Sequence, residues 1–250
     1  MTNFKHAFSY WCFSKLTDAQ FQQIRDIGIT GIEMPPADEY AKWRDNGFTI
    51  VSIVGHKSIE DGLNKKENHS RILDEVRSNL EAAKTYNIPN LICFSGNREG
   101  RSDAEGAANT IEGLLPIAKE AEAAGVTLIM ELLNSKDHKD YQCDHTAWGV
   151  EVAKAVNSPR FKLLYDIYHM QRMEGDLIPI IRENIDYIAH FHTAGNPGRN
   201  ELNTRQEIYY PAVAHAIAEI GYSEWIGHEF IPKGDPIEGL REAFEIFDLR

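Results

Sequence analysis

The feature that most constrains the fold is an alternation of short apolar segments with longer amphipathic segments along the whole chain. The short segments are rich in β-branched and aromatic residues and are typical of buried strands. We predict eight strands, at residues 4–11, 29–34, 49–55, 90–95, 126–133, 161–167, 187–193 and 225–230. A segment with helical spacing follows each strand, at residues 17–28, 37–46, 67–86, 102–124, 147–156, 177–184, 208–220 and 237–247.

This alternation predicts a parallel sheet with right-handed crossover connections. Eight strand-helix units in 250 residues are the usual size of a closed (β/α)8 barrel. The competing arrangement is a doubly wound open sheet, which needs a glycine-rich turn after the first strand, whereas residues 12–16 (CFSKL) contain no glycine. Because no low-complexity linker divides the chain, we predict an α/β protein with a single (β/α)8 barrel domain over residues 1–250.

Composition excludes several classes of protein. A net charge of −12 disfavours long nucleic-acid contacts, which need a basic surface. No apolar run approaches the ~20 residues that cross a bilayer, and residues 1–5 lack the layout of a signal peptide. Three cysteines, Cys12, Cys93 and Cys143, lie too far apart to suggest a disulfide framework or a zinc ribbon. These features predict a cytoplasmic protein without membrane or nucleic-acid partners.

Four predicted strands end in a residue that can bind a metal. Residues 162–171 (KLLYDIYHMQ) place Asp166 at the end of an apolar run, and Glu131, His192 and Glu229 stand at the ends of the fifth, seventh and eighth strands. The carboxyl ends of barrel strands meet at one face, where the active site of such a barrel lies. A buried charge is costly without a partner, and three carboxylates with one imidazole suit Mg²⁺ or Mn²⁺.

Each of these acids alone is more often a helix cap or a surface residue than a ligand. Four of them in register favour the metal site. A glutamate that binds a metal through one oxygen can face a C–H group beside a carbonyl with the other, while the metal stabilises the enediolate that forms. We therefore expect Glu131 and Glu229, on opposite flanks of the ion, to remove and return a proton without an organic cofactor.

Four segments resemble the hydroxypyruvate isomerase family of the xylose-isomerase-like TIM barrel superfamily, which also contains the ketose 3-epimerases. They are residues 130–134 (MELLN), 165–171 (YDIYHMQ), 190–199 (HFHTAGNPGR) and 226–232 (IGHEFIP). The resemblance implies that Glu131, Asp166, His192 and Glu229 bind the metal, with Glu131 and Glu229 as the catalytic pair. It further implies that His169 and Arg199 contact the substrate.

Other residues offer substrate contacts by position alone. His56 and Asn97 lie on the loops after the third and fourth predicted strands, where they can reach a substrate. Arg199 has a guanidinium that can grip a carboxylate, although an ordinary exposed loop arginine is its alternative interpretation. His190 is two residues before His192 and is expected on the same face one layer deeper, as a core histidine.

The function expected from this sequence is isomerisation of a small hydroxy-keto acid, with hydroxypyruvate to tartronate semialdehyde as the leading reaction. Members close to hydroxypyruvate isomerases tend to carry glutamine where His192 stands, whereas the ketose 3-epimerases carry histidine, so an epimerase remains the first alternative. A metal-dependent phosphodiester hydrolase and a non-catalytic sugar-binding protein are the others. The oligomeric state is open, and a homo-oligomer is possible.

Overall fold

The computed structural model describes residues 4–249, and its centre is a closed barrel of eight parallel strands that pair in sequence order. Strand β8 closes the barrel by pairing with β1. The strands are β1 (Lys5–Ser9), β2 (Gly31–Glu33), β3 (Thr49–Val54), β4 (Asn90–Cys93), β5 (Thr127–Glu131), β6 (Phe161–Asp166), β7 (Ile188–Thr193) and β8 (Trp225–His228). The predicted α/β class and (β/α)8 architecture are confirmed.

The helices surround this barrel and return the chain from the end of one strand to the start of the next. They are α1 (Tyr10–Phe13), α2 (Asp18–Ile27), α3 (Tyr40–Asp45), α4 (His69–Tyr86), α5 (Asp103–Ala124), α6 (Thr146–Val156), α7 (Ile167–Met173), α8 (Leu177–Asn184), α9 (Tyr210–Glu219) and α10 (Pro236–Phe247). All eight predicted helical segments are present, with ends that differ by a few residues.

Local sequence explains where several helices begin. Thr17 and Gln20 form a reciprocal capping box at the start of α2, and Gly28 ends that helix in the left-handed conformation with φ of 112°. Ser102 accepts a hydrogen bond from the backbone of Glu105 and caps α5. These two polar caps satisfy backbone N–H groups that no carbonyl of the same helix reaches.

The structure differs from the prediction at one strand end in particular and in one additional helix. The first strand ends at Ser9 rather than at residue 11, because Tyr10 and Trp11 begin helix α1. The second error is the missing prediction of α7, which begins immediately after β6. Asp166 ends β6 and also caps this helix, since its side chain accepts a hydrogen bond from the backbone of His169.

The register of the strands aligns the residues that matter for function. Asp166 on β6 pairs with His192 on β7, and His192 pairs with Gly227 on β8. Apolar residues of the strands pack against the helices in a continuous buried core that includes Leu128, Leu163 and Phe191. The carboxyl ends of the strands are therefore held at fixed spacing on a rigid scaffold. Within residues 4–249, no helix combines the length and the apolar character that a membrane span needs.

Candidate metal centre and active site

The four residues predicted from the strand ends converge on one point. One ligand atom from each of Glu131, Asp166, His192 and Glu229 lies within 4.8 Å of the others, and all four residues are buried. Glu131 ends β5, Asp166 ends β6, His192 is in β7, and Glu229 follows β8 directly. The barrel closes these neighbouring strand ends around a volume small enough for a single ion.

His192 connects this cluster to a deeper carboxylate. Its Nδ1 atom lies 3.1 Å from Glu229 Oε2 and 3.6 Å from Glu131 Oε1. On the opposite side of the ring, Nε2 lies 2.7 Å from Glu33 Oε2. Burial opposes a charged ring, but the carboxylates of Glu229 and Glu33 outweigh it and raise the pKa of His192 well above its usual range.

Glu229 is held by three donors. The indole Nε1 of Trp11 donates to Oε1 at 2.7 Å, and the guanidinium of Arg199 and the His192 ring contact Oε2. Burial raises the pKa of this carboxyl, but the positive charge of Arg199 and the partner His192 more than offset it, so the pKa lies well below its usual value. Glu229 is therefore ionised at neutral pH.

Asp166 lies beside Glu229 in a different electrostatic state. Its Oδ1 accepts the backbone N–H of His169 at 3.0 Å, but Oδ2 is buried without a hydrogen-bond partner. Burial raises the pKa of Asp166 above its usual range, and the charges of Glu229 and Glu131 add to this against the opposing effect of Arg199. A buried carboxylate oxygen that accepts no hydrogen bond and lies among other acids is favourable for binding a cation. The donor set of three carboxylates and one imidazole therefore fits a divalent metal ion.

His169 presents an unused donor to the same point. Its Nδ1 accepts the backbone N–H of Asn134 at 3.0 Å, which leaves the proton of the neutral ring on Nε2. That Nε2 atom is buried, has no hydrogen-bond partner and lies 3.6 Å from Asp166 Oδ2. Burial, with the nearby charge of Arg199, lowers the pKa of His169 well below its usual value, so the ring stays neutral.

Arg199 covers the cluster from the loop after β7. Its guanidinium carbon lies 5.4 Å from the ring centre of Trp11 and 5.7 Å from that of Tyr168, so the group is held between two aromatic rings. The guanidinium pairs with Glu229 and approaches Asp166 Oδ2 to 3.6 Å, while its Nε is buried without a hydrogen-bond partner. The structure thus places both His169 and Arg199 beside the predicted metal ligands.

The two other predicted substrate residues lie elsewhere in the hydrogen-bond network. His56 Nε2 accepts the backbone N–H of Phe94 at 2.9 Å, and its Nδ1 lies 3.2 Å from the carbonyl of Lys57. Both ring nitrogens are therefore used by the backbone. The backbone N–H of Asn97 donates to Glu60, and Asn97 forms an isolated bridge with Tyr141. Within residues 4–249, no hydrogen bond joins His56 or Asn97 to the four clustered residues, and their substrate contacts stay predictions.

Sequence reasoning missed two residues of the site. Glu33 was overlooked although it ends the short segment Gly31–Glu33 in the way that Asp166 ends β6. The same rule of a charge at the end of an apolar strand would have found it. The hydrogen bond of Trp11 to Glu229 depends on β1 ending at Ser9, which the sequence pattern does not indicate.

Comparison with known proteins agrees with this geometry. Residues 21–249 match a protein-family model described as xylose isomerase-like TIM barrel. A 2-oxo-tetronate isomerase from Pectobacterium atrosepticum is 26% identical over 236 residues, which cover 88% of each chain. A hydroxypyruvate isomerase from Escherichia coli K12 is 30% identical over 169 residues, which cover 67% of this chain and 65% of that relative.

Solved structures show the same fold. The crystal structure of an AP endonuclease, family 2, from Brucella melitensis superposes with a TM-score of 0.86 at 25% identity, covering 99% of this chain and 100% of that chain. A D-psicose 3-epimerase with D-tagatose from Clostridium cellulolyticum H10 superposes with a TM-score of 0.74 at 20% identity, covering 97% and 96%. At that identity the second likeness concerns the fold alone.

Proposed function

This chain belongs to the xylose isomerase-like TIM barrel family, and from that membership and its four-residue centre we propose a divalent-metal-dependent isomerase of 3-hydroxy-2-oxo acids. The chain is an isomerase of the sugar and keto-acid class, as its relatives named 2-oxo-tetronate isomerase and hydroxypyruvate isomerase are. Both names describe acids with a hydroxyl on the carbon beside the 2-oxo group. We take hydroxypyruvate to tartronate semialdehyde as the leading reaction.

We assign the metal site to Glu131, Asp166, His192 and Glu229, and we expect Mg²⁺ or Mn²⁺ there without any organic cofactor. The unpaired Oδ2 of Asp166 supports a cation at this position. When bound, a divalent ion supplies Lewis-acid polarisation of the oxygens on the two reacting carbons. The ion would then add positive charge beside the closely spaced acids, in addition to that of Arg199.

The proton transfers fall to Glu131 and Glu229. The strand ends of Asp166 and His192 separate these two glutamates, so they flank the space where a substrate would lie. In the isomerisation, one carboxylate takes the proton from C3 and a proton is delivered to C2, while the C3 hydroxyl becomes a carbonyl and the C2 carbonyl becomes a hydroxyl. The low pKa of Glu229 keeps it ionised, as a proton acceptor requires.

Two donors of this chain are available to fix the substrate. The Nε2–H of His169 is buried and has no partner, which suits a hydrogen bond to a substrate hydroxyl or carbonyl oxygen. Arg199 is fixed between Trp11 and Tyr168, and a guanidinium held in this way recognises a carboxylate with defined geometry. A substrate with both a carboxylate and a neighbouring hydroxyl uses both donors.

The observation that carries this proposal is the convergence of the four ligand atoms within 4.8 Å. Its test is NMR in D₂O with metal-stripped protein, hydroxypyruvate, 2-oxo-tetronate and a ketohexose, each with and without added Mg²⁺ or Mn²⁺. We expect isomerisation of a 2-oxo acid only when metal is present. Turnover that persists with a chelator, or turnover of none of these compounds, would overturn the proposal.

A ketose 3-epimerase is the second candidate, and His192 is the residue that favours it. The same glutamate pair and metal would remove and return a proton on C3 of a ketose without moving the carbonyl. Deuterium incorporation at C3 of the ketohexose, together with inactivity on both 2-oxo acids, would establish this activity in place of the leading one.

The charge of the chain argues against a phosphodiester hydrolase despite the likeness to the AP endonuclease structure. A net charge of −12 provides no basic surface for a nucleic-acid backbone. Hydrolysis of a phosphodiester commonly uses two metal ions or more, whereas the four clustered residues suit a single metal ion. A measured stoichiometry of one metal per chain would support the isomerase.

A further inference from the structure

Glu33, at the end of β2, lies directly beneath the proposed metal centre. The residue is fully buried, and its Oε2 atom lies 2.7 Å from Nε2 of His192. Its other oxygen, Oε1, lies 2.5 Å from Nε2 of His190, the residue two positions earlier on the same strand. Glu33 therefore bridges two imidazole rings that extend from β7 to the same face.

The neighbouring strand makes room for this carboxylate. A Cβ atom added to Gly227 on β8 would lie 2.6 Å from Glu33 Oε2 and 2.8 Å from His192 Cδ2. No real Cβ atom tolerates contacts that short with fixed neighbours, so a side chain at position 227 would displace the pair. Glycine at position 227 therefore leaves the space in which Glu33 and His192 contact each other.

Burying the carboxylate of Glu33 costs free energy unless neighbouring groups compensate for the lost hydration. Glu33 contacts the rings of two histidines, and one of them, His192, is among the four clustered residues. A histidine ligand binds metal through one ring nitrogen and commonly donates the other N–H to a carboxylate, which sets the tautomer and the ring direction. The geometry around Glu33 has this arrangement, since Nε2 faces Glu33 and Nδ1 faces the acids.

We propose that Glu33 is the positioning residue of the metal centre, holding the Nε2–H of His192 so that the Nδ1 lone pair is directed at the ion. This inference rests on the metal site of the proposed function. The ring of His190 lies against the other oxygen of the carboxylate. Glu33 is not one of the four clustered residues, and in this proposal it acts through the ring of His192.

The test is calorimetric titration of Mn²⁺ into metal-stripped protein and its Glu33→Gln variant. Glutamine has nearly the same shape but lacks the charge, and we expect about 10-fold to 100-fold weaker Mn²⁺ binding, as for other carboxylate partners of histidine ligands. Ser9→Ala is the matched control, because Ser9 contacts Glu33 at 3.4 Å without reaching His192. We expect Mn²⁺ affinity within about twofold of the parent for Ser9→Ala.

A second measurement uses the unmodified protein and does not depend on the folding of a variant. Nitrogen-15 NMR of labelled histidines in the Mg²⁺-loaded protein reports which ring nitrogen of His192 carries the proton, with His192→Gln used only to assign the signal. We expect the proton on Nε2, and a proton on Nδ1 would overturn the inference.

The outcomes separate the two proposals. Parent protein that binds Mn²⁺, with Glu33→Gln binding within twofold of it, would overturn the positioning role and leave the proposed function intact. Parent protein that binds no Mn²⁺ would remove the metal centre itself and the inference with it. Weaker binding by Glu33→Gln at unchanged circular dichroism would support the positioning role.

Discussion

At the scale of single residues, the two neighbouring acids Asp166 and Glu229 differ because their hydrogen-bond partners differ. Glu229 receives contacts from Trp11, His192 and Arg199, whereas Asp166 leaves one buried oxygen without a hydrogen bond. The pKa of the first is lowered and that of the second is raised. The partners therefore decide which carboxylate has a lowered pKa and which one keeps an oxygen without a hydrogen bond.

Glu229→Gln removes a carboxylate that we propose as one of the two proton-transfer groups, but it keeps the shape of the side chain. We expect exchange of the substrate C–H proton with D₂O to fall by about 10²-fold to 10⁴-fold, the usual contribution of a positioned acid or base. Proton NMR measures the exchange, and circular dichroism checks the fold. Exchange at the parent rate in this variant would contradict the assigned role.

Arg199→Lys keeps the charge but loses the planar group that stacks between Trp11 and Tyr168. Loss of a charged hydrogen bond worth about 1.5–3 kcal/mol predicts a KM roughly 10-fold to 100-fold higher for an acidic substrate. Arg205→Lys, at an exposed position of the same loop, is the control and should leave KM unchanged. Equal KM values for the two variants would argue against substrate binding by Arg199.

Most of the site could be predicted because a charged residue at the end of a run of apolar residues can be recognised from the sequence alone. Glu131, Asp166, His192 and Glu229 follow that rule, and the barrel brings them together. Glu33 also lies near the end of a predicted strand, residues 29–34, so the same rule applied to that strand would have identified it. The contact of Trp11 with Glu229 joins β8 to the first helix, and no local pattern predicts a pairing across 218 positions.

At the scale of elements, the carboxylate of Asp137 joins the loop after β5 to helix α7. Asp137 accepts hydrogen bonds from Tyr168 Oη at 2.6 Å and Arg172 Nη1 at 2.5 Å on α7, and from Asn134 Nδ2 at 3.0 Å within its own loop. The same two segments hold His169, whose Nδ1 accepts the backbone N–H of Asn134. Asp137 therefore helps to fix the wall of the site.

This tie predicts a pH-dependent contribution to stability. Burial raises the pKa of Asp137, but its hydrogen bonds to Tyr168, Asn134 and Arg172 outweigh that effect and lower the pKa from 3.8 to about 2. Because the folded-state pKa is depressed, the stabilisation is complete above the unfolded pKa and is lost as the pH falls toward 2. Denaturant midpoints of parent and Asp137→Asn should differ by a constant amount between pH 5 and 7 and converge below about pH 4. A difference that does not depend on pH would contradict this.

The elements themselves were largely predictable, and the errors have a physical cause. Helix α7 was missed because Ile167, Tyr168 and Met170 continue the apolar character of β6 and carry no helix signal of their own. The helix begins here because the side chain of Asp166 accepts a hydrogen bond from the backbone N–H of His169. A residue with two structural roles, strand end and helix cap, cannot be assigned from periodicity alone.

At the scale of the whole molecule, an acidic chain concentrates further acids at one end of a closed barrel. The net charge is −12, and three of the acids are in the four-residue cluster where we propose that a cation binds. An ion that binds only the folded chain stabilises it, by about 2.7 kcal/mol when its concentration is 100 times Kd. The predicted homo-oligomer stays a prediction that light scattering can address.

Metal removal should therefore lower thermal stability. Each kcal/mol shifts Tm by about 2–4 °C in a chain of this size, so saturating Mn²⁺ should raise Tm by about 5–10 °C above that of chelator-treated protein. Scanning calorimetry measures the shift. Asp166→Asn, which removes the charge at the unpaired oxygen, should show a smaller shift, and an equal shift in both proteins would indicate binding elsewhere.

The most direct test of the central claim is anomalous diffraction from crystals of the protein soaked in Mn²⁺. We predict one strong anomalous peak per chain, within bonding distance of Glu131, Asp166, His192 Nδ1 and Glu229. A peak at another place, or none at the four residues while Arg199 keeps its contacts with Glu229 and Asp166, would contradict the account.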